Sequence, residues 1–159
     1  MVDLEFLCII IGIKSRKTRR LLNADNTDPS GDGGFVDLAR SEIIDGVVHN
    51  TALPGSKLVD ITEYIRLHIA EWTKRDVIWH VDAMDLTTAT ACDVHLFVDR
   101  GAEVTELRKG RKTAVVAKND LHFGMMRMLA ILAEGRFEIA LSVFRNVESA
   151  VQWLRESPD

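Results

Sequence analysis

From Leu38 to Leu154 the chain alternates short apolar runs with stretches of helical periodicity, and this alternation constrains its fold more than any other feature. Two apolar runs, Leu38 to Ile44 and Val47 to Leu53, are joined by Asp45-Gly46, a dipeptide that supplies the positive φ angles of a type I′ hairpin turn. Pro54-Gly55 ends the second run. Leu58, Ile61, Ile65, Ile69 and Trp72 then recur at helical spacing over about Lys57 to Thr73, with His68 at the edge of the stripe. Val77 to Val81 is a run of strand length. A polar joint, Asp82 to Thr90, leads to a helix from Ala91 to about Arg100, where Gly101 leaves open whether Glu103 to Arg108 continue the helix or form a separate turn. Thr113 to Ala117 reads as a buried strand, and Asn119 or Asp120 caps a helix through Ala133 that Gly135 ends in the left-handed conformation. Ile139 to Phe144 is a further strand, and Asn146 caps a final helix carrying Val147, Ala150, Val151 and Leu154 on one face. The expectation is an α/β domain. An N-terminal hairpin precedes alternating helices and strands in a mixed, largely parallel sheet of four to five strands with about four helices.

The size of the chain fits one such domain, since 159 residues at 47% hydrophobic and 28% charged content can bury a single core. We expect the domain over 35–157 and a flexible extension over 1–34, because Asn23 to Gly34 is almost entirely Asn, Asp, Thr, Pro, Ser and Gly. Within the extension, Phe6 to Ile13 (6–13) reads as an extra strand. It is far shorter than a spanning helix, so a membrane span is not expected and peripheral contact, though compatible with Lys14 to Arg20 beside it, is not expected either. Asp28 to Phe35 approaches a calcium loop but places Ala39 where the bidentate Glu should close the shell, so no metal site is assigned. The net charge of −4 offers no long-range attraction for a phosphate backbone and argues against nucleic acid. The basic cluster at Arg108 to Lys112 reads as a solvated loop. Cys8 and Cys92 form no Cys-x-x-Cys pair, so the sequence supports no disulfide framework and fits a cytoplasmic, reducing location.

Motifs that carry chemistry are scarce. Thr90 precedes the second helix, where its hydroxyl can accept from the Asp93 amide while the Asp93 carboxylate returns to the cap. His80, Asp82 and Asp85, with Thr88 and Thr90 as hydroxyls, form the best catalytic constellation, but the chain offers no oxyanion donor, second base or metal ligand to complete it. No catalytic residue and no cofactor site is therefore assigned. The helix holding Phe123, Met125, Met126 and Met128 carries long unbranched side chains that can fill a gap or open one.

Phe123-Gly124-x-x-Arg127-Met128, Val143-Phe144-Arg145 with Ala150 and Trp153-Leu154, and Val81-Asp82-Ala83-Met84-Asp85 resemble signatures of the SpoIIAA-like subfamily of STAS domains, relatives of anti-sigma factor antagonists. The resemblance covers about Leu38 to Leu154. It implies a non-catalytic regulatory module that binds a protein partner, with Thr90 as candidate phospho-acceptor and Thr88, Asp82, Asp85 and Asp93 around it. Where signalling members carry Asp-Ser-Ser-Gly this chain has Thr88-Ala89-Thr90-Ala91, which weakens the phospho-switch. A second expectation is a carrier or sensor of a small apolar, lipid-like ligand held between the 121–134 helix and the sheet by Phe123, Met125, Met126 or Met128. A carrier requires an apolar cavity there, and an interaction module a filled core. A homodimer is compatible with either.

Overall fold

A computed structural model describes residues 37–156. The expected strand at 6–13, the extension over 1–34 and the loop from Asp28 to Phe35 lie outside the described residues. Five strands form one sheet in the order β1 (Ala39–Ile44), β2 (Val47–Ala52), β3 (Val77–His80), β4 (Lys112–Val116) and β5 (Ala140–Phe144). β1 and β2 are antiparallel, and every later pairing is parallel. Four α-helices connect or follow the strands: α1 (Leu58–His68), α2 (Ala91–Thr105), α3 (Asp120–Ala133) and α4 (Val147–Arg155). The fold is therefore α/β with a mixed, largely parallel sheet, as the alternation implies.

Local chemistry explains the joints. Asp45 at φ 49° and Gly46 at φ 82° make the hairpin turn, which sets Ile44 opposite Val47. Asn119 and Asn146 cap α3 and α4 by accepting from the amides of His122 and Ser149 at 2.9 and 2.8 Å. Gly135 at φ 75° follows the end of α3. The joint left open at Gly101 resolves into both alternatives, since α2 runs through Gly101 to Thr105 and a short 3₁₀ turn, Glu106–Arg108, follows it.

Strand alternation divides the core into two layers. Val48, Val77, Trp79, Val115 and Val143 face α1, α2 and α3, whose Leu58, Ile61, Val94, Val98, Met126 and Leu129 cover them. Ile78, Ala114 and Val116 face the other way and pack under Ala150 and Leu154 of α4. Trp72 and Trp79 meet edge to face with centroids 6.1 Å apart, an arrangement worth about 0.5–1.5 kcal/mol beyond its buried area.

One expectation changes. Arg108 is not part of a solvated basic loop: it is 3% exposed, because the 3₁₀ turn folds it against the start of β4. Among the described residues no helix is long and apolar enough to cross a membrane.

Candidate functional site: a cavity beneath three helices

A cavity of about 100 Å³ lies between the sheet and α1, α2 and α3. Its floor is the inward-facing set of alternate strand positions, Trp79, Val115 and Leu141, with Val81 just past β3. Helical spacing brings Ile61 and Ile65 of α1, Phe97 and Val104 of α2, and Met126 and Leu129 of α3 over that floor. Phe137, in the joint between α3 and β5, closes one side by laying its ring against the backbone of Gly101. The wall is apolar over most of its extent, which suits a dry space that accepts an apolar guest.

One stretch of the wall is polar. Thr105, Arg108 and Thr113 belong to it, and all three side chains are buried. Arg108 donates through Nη1 to Thr113 Oγ1 at 2.7 Å, and through Nη2 to the carbonyls of Arg75 and Lys112 at 2.9 and 3.2 Å. Among the described residues its buried Nε–H meets no hydrogen-bond partner. Burial pushes the guanidinium down to about 10, a pull that Asp76 opposes and Arg111 reinforces, so the group stays charged near neutrality. At the outer rim, Arg66 and Arg100 are engaged by Glu63 and Glu103 at 2.6 and 3.3 Å.

Of the four residues expected to line an apolar pocket, Met126 does so. Phe123 and Met125 are half-buried and pack against the core beside it, with the Arg145 guanidinium 3.9 Å from the centre of the Phe123 ring. Met128 points outward at 41% exposure. The cavity draws on α1 and α2 as much as on α3, so it reaches further from the 121–134 helix than the sequence suggests.

The residues expected around the second helix start take up separate local tasks. Thr90 Oγ1 accepts from the Asp93 amide at 3.2 Å, and the Asp93 carboxylate accepts from the Thr90 amide and hydroxyl, both at 2.8 Å. Asp85 accepts from the Thr87 amide and hydroxyl, and these bonds hold its carboxyl below the usual range. Asp82 turns away from both and accepts from the amides of Lys118 and Asn119 at 2.7 and 3.2 Å. Thr88 and Thr90 are exposed. His80 meets His49 across the sheet, with Nε2 and Nδ1 3.3 Å apart. The constellation of His80, Asp82, Asp85, Thr88 and Thr90 is thus not drawn together around one point.

Sequence reasoning missed Arg108 and Thr105, and no periodic signal could have found Arg108, because a buried arginine in a basic cluster reads like its exposed neighbours; Thr113 lies on the strand read as buried, on the face of Val115. Sequence reasoning also missed a polar group beside the tryptophans. There Ser41 donates to the fully buried Asn50 side chain and meets Tyr64 OH at 2.9 Å, and among the described residues Asn50 Nδ2 has no partner. Strand alternation alone could have placed Asn50 inward, in line with Val48 and Ala52. Comparison of this chain with protein-family models, with curated proteins and with solved structures finds no match.

Proposed function

We propose that the chain is a non-catalytic binding module of STAS type that holds a small, largely apolar molecule in the cavity between α1, α2, α3 and the sheet. The cavity itself carries this reading, because about 100 Å³ of unfilled, mostly apolar space in a core that close packing would otherwise fill marks a place for a guest. The STAS assignment is supported by the element order and by a sheet whose strands run in sequence order. The test is thermal denaturation of wild type and a Val115→Phe variant, whose ring occupies the cavity from the floor, against a panel of single-ring and short-chain apolar compounds. Wild type should melt higher with at least one compound, and the filled variant should not respond. A panel without effect on wild type counts against the reading.

A second reading, a regulatory module that binds a protein partner through the Asp82 to Asp93 joint, is favoured by the exposure of Thr88 and Thr90, the latter beside the carboxylate of Asp93. A phosphate on Thr90 would sit at the free amides of a helix start and add close to two negative charges. Under this reading Thr90→Glu alters the set of proteins captured relative to Thr90→Ala, which controls for the lost cap. Identical sets from both variants and wild type would place recognition elsewhere.

A further inference from the structure

The two edges of the sheet differ in how they meet a stranger. β1 carries Arg40 and Glu42, and charges along an edge strand deter pairing with another chain. β5, at the opposite edge, reads Ala-Leu-Ser-Val-Phe and holds no charge, proline or glycine. The Ala140 amide donates to the Arg111 carbonyl and the Phe144 carbonyl accepts from the Ala117 amide, so by strand alternation Ala140, Ser142 and Phe144 turn their backbone groups to β4. Leu141 and Val143 therefore turn theirs outward, and among the described residues no strand pairs with them.

A groove of about 390 Å³ runs beside this edge, between Ala140 to Val143 of β5 and the last two turns of α3. The helix side presents Arg127, Ala130, Ile131 and, just past its end, Glu134, whose spacing of three, four and seven residues puts them on one face. Ile131 is 63% exposed. Among the described residues neither Arg127 nor Glu134 forms an ion pair. This face is complementary to its own reverse, because an antiparallel copy sets Arg127 against Glu134 and Ile131 against the small Ala130, each contact made twice about a two-fold axis.

We propose that the chain pairs with a second copy of itself through β5 and α3, antiparallel about a two-fold axis at Ser142. In that register Leu141 of one protomer lies opposite Val143 of the other, and the two exchange amide-to-carbonyl hydrogen bonds in both directions, which satisfies every outward group of the edge. The two sheets become continuous. Neighbouring strands lie about 4.8 Å apart, so the two α3 helices, on the same face of the joined sheet, come side by side over the groove. A lone strand from another protein would complete the edge but leave Arg127, Ile131 and Glu134 facing water. A second copy answers the backbone, the apolar side chain and both charges at once.

The test is sedimentation velocity of the full chain over a wide range of protein concentration at low salt, on wild type, Arg127→Glu, Glu134→Arg and the double reversal, with amide exchange of wild type at Leu141 and Val143. Wild type should form a reversible dimer, and exchange at the two amides should slow as concentration rises. Each single reversal sets like charges face to face and should weaken the dimer at least about tenfold, whereas the double reversal restores opposite charges and should return to within about threefold of wild type. A dimer indifferent to the single reversals overturns this surface, and a double reversal no tighter than the singles overturns the antiparallel pairing. Monomeric wild type at every concentration overturns the proposal outright. Protected Leu141 and Val143 amides would then mean that the edge is covered within one chain, and fast exchange that it stays open. The substituted side chains are exposed and the exchange readout uses wild type alone, so the outcome does not depend on how well a variant folds.

Discussion

The ring of Phe137 occupies the place a side chain on Gly101 would take: a Cβ built there lies 2.3 Å from Phe137 Cζ and 2.7 Å from Cε1. A glycine in the middle of a fifteen-residue helix is disfavoured by about 1 kcal/mol relative to alanine, so its position is explained by the ring and not by the helix. Gly101→Ala should therefore destabilise the protein by about 1–2 kcal/mol through overpacking, despite its better propensity. In a Phe137→Ala background the same substitution should become neutral or stabilising by up to about 1 kcal/mol. Urea denaturation of the four proteins measures the coupling, and additive effects would show that the ring is not what requires the glycine.

Acid should weaken the back of the sheet through a second pair, His49 and His80, whose rings stack with centroids 5.6 Å apart. One ring nitrogen must donate and the other accept across 3.3 Å, so the contact needs at least one neutral imidazole. Burial foremost, then the neighbouring His49 and Lys118, hold His80 below its ordinary value, while Asp82 and Glu42 pull the other way. With the folded value below the unfolded one, the unfolded chain binds more protons in the interval between them. Stability is then fully present above about pH 6.5 and is lost as the pH falls from there through the folded value. The urea midpoint should drop between pH 7 and pH 5 in wild type, and drop less in His80→Gln. Parallel pH profiles for the two would remove His80 as the cause.

How far the sequence carried the fold depends on the range of the interactions that decide each element. Asp45-Gly46, the Thr90 and Asn146 caps and the strand alternation are settled within a few residues, and they were legible. Gly101 was not, because the ring that requires it arrives thirty-six positions later, on the joint after α3. The cavity was read only in part for the same reason: Met126 lies on the helix that suggested it, whereas Ile65, Phe97 and Arg108 reach it from elements far apart in the chain. Arg108 was misread outright, since charge pattern describes a side chain's neighbours in sequence, and its burial is decided by acceptors on Arg75, Lys112 and Thr113.

Thr90 bears a reciprocal cap that can be weighed against any role in signalling. Its hydroxyl accepts from the Asp93 amide and donates to the Asp93 carboxylate. Thr90→Ala should lose about 1 kcal/mol, and Thr90→Asp, which still accepts from the amide but sets two carboxylates together, should recover only part of it. Thr90→Ser should be close to wild type. If Thr90→Ala leaves the denaturation midpoint unchanged, the cap is not holding α2.

Asp82 makes the sharpest stability prediction, because one carboxylate oxygen gathers the joint between β4 and α3. Asp82 Oδ1 accepts from the amides of Lys118 and Asn119 at 2.7 and 3.2 Å and lies 3.3 Å from Asn119 Nδ2. Those amides stand at the start of α3, where backbone donors have no partner within the helix and the dipole favours negative charge. β3 and β4 are adjacent and parallel, so the residue just past the end of β3 reaches the segment just past the end of β4. The carboxylate therefore fastens two parallel strand ends to the helix that covers the cavity. Asp82→Ala should cost about 1.5–3 kcal/mol, the range for a charge-assisted hydrogen bond whose donors are left unmade. Asp82→Asn keeps an acceptor without the charge and should cost roughly half as much. Amide exchange at Lys118 and Asn119 should quicken in the alanine variant while the interior of β4 stays protected, since the loss is local to the joint. Uniformly faster exchange along β4 would instead mean that the joint supports the strand itself, and unchanged exchange at both amides would show that Asp82 does not hold them.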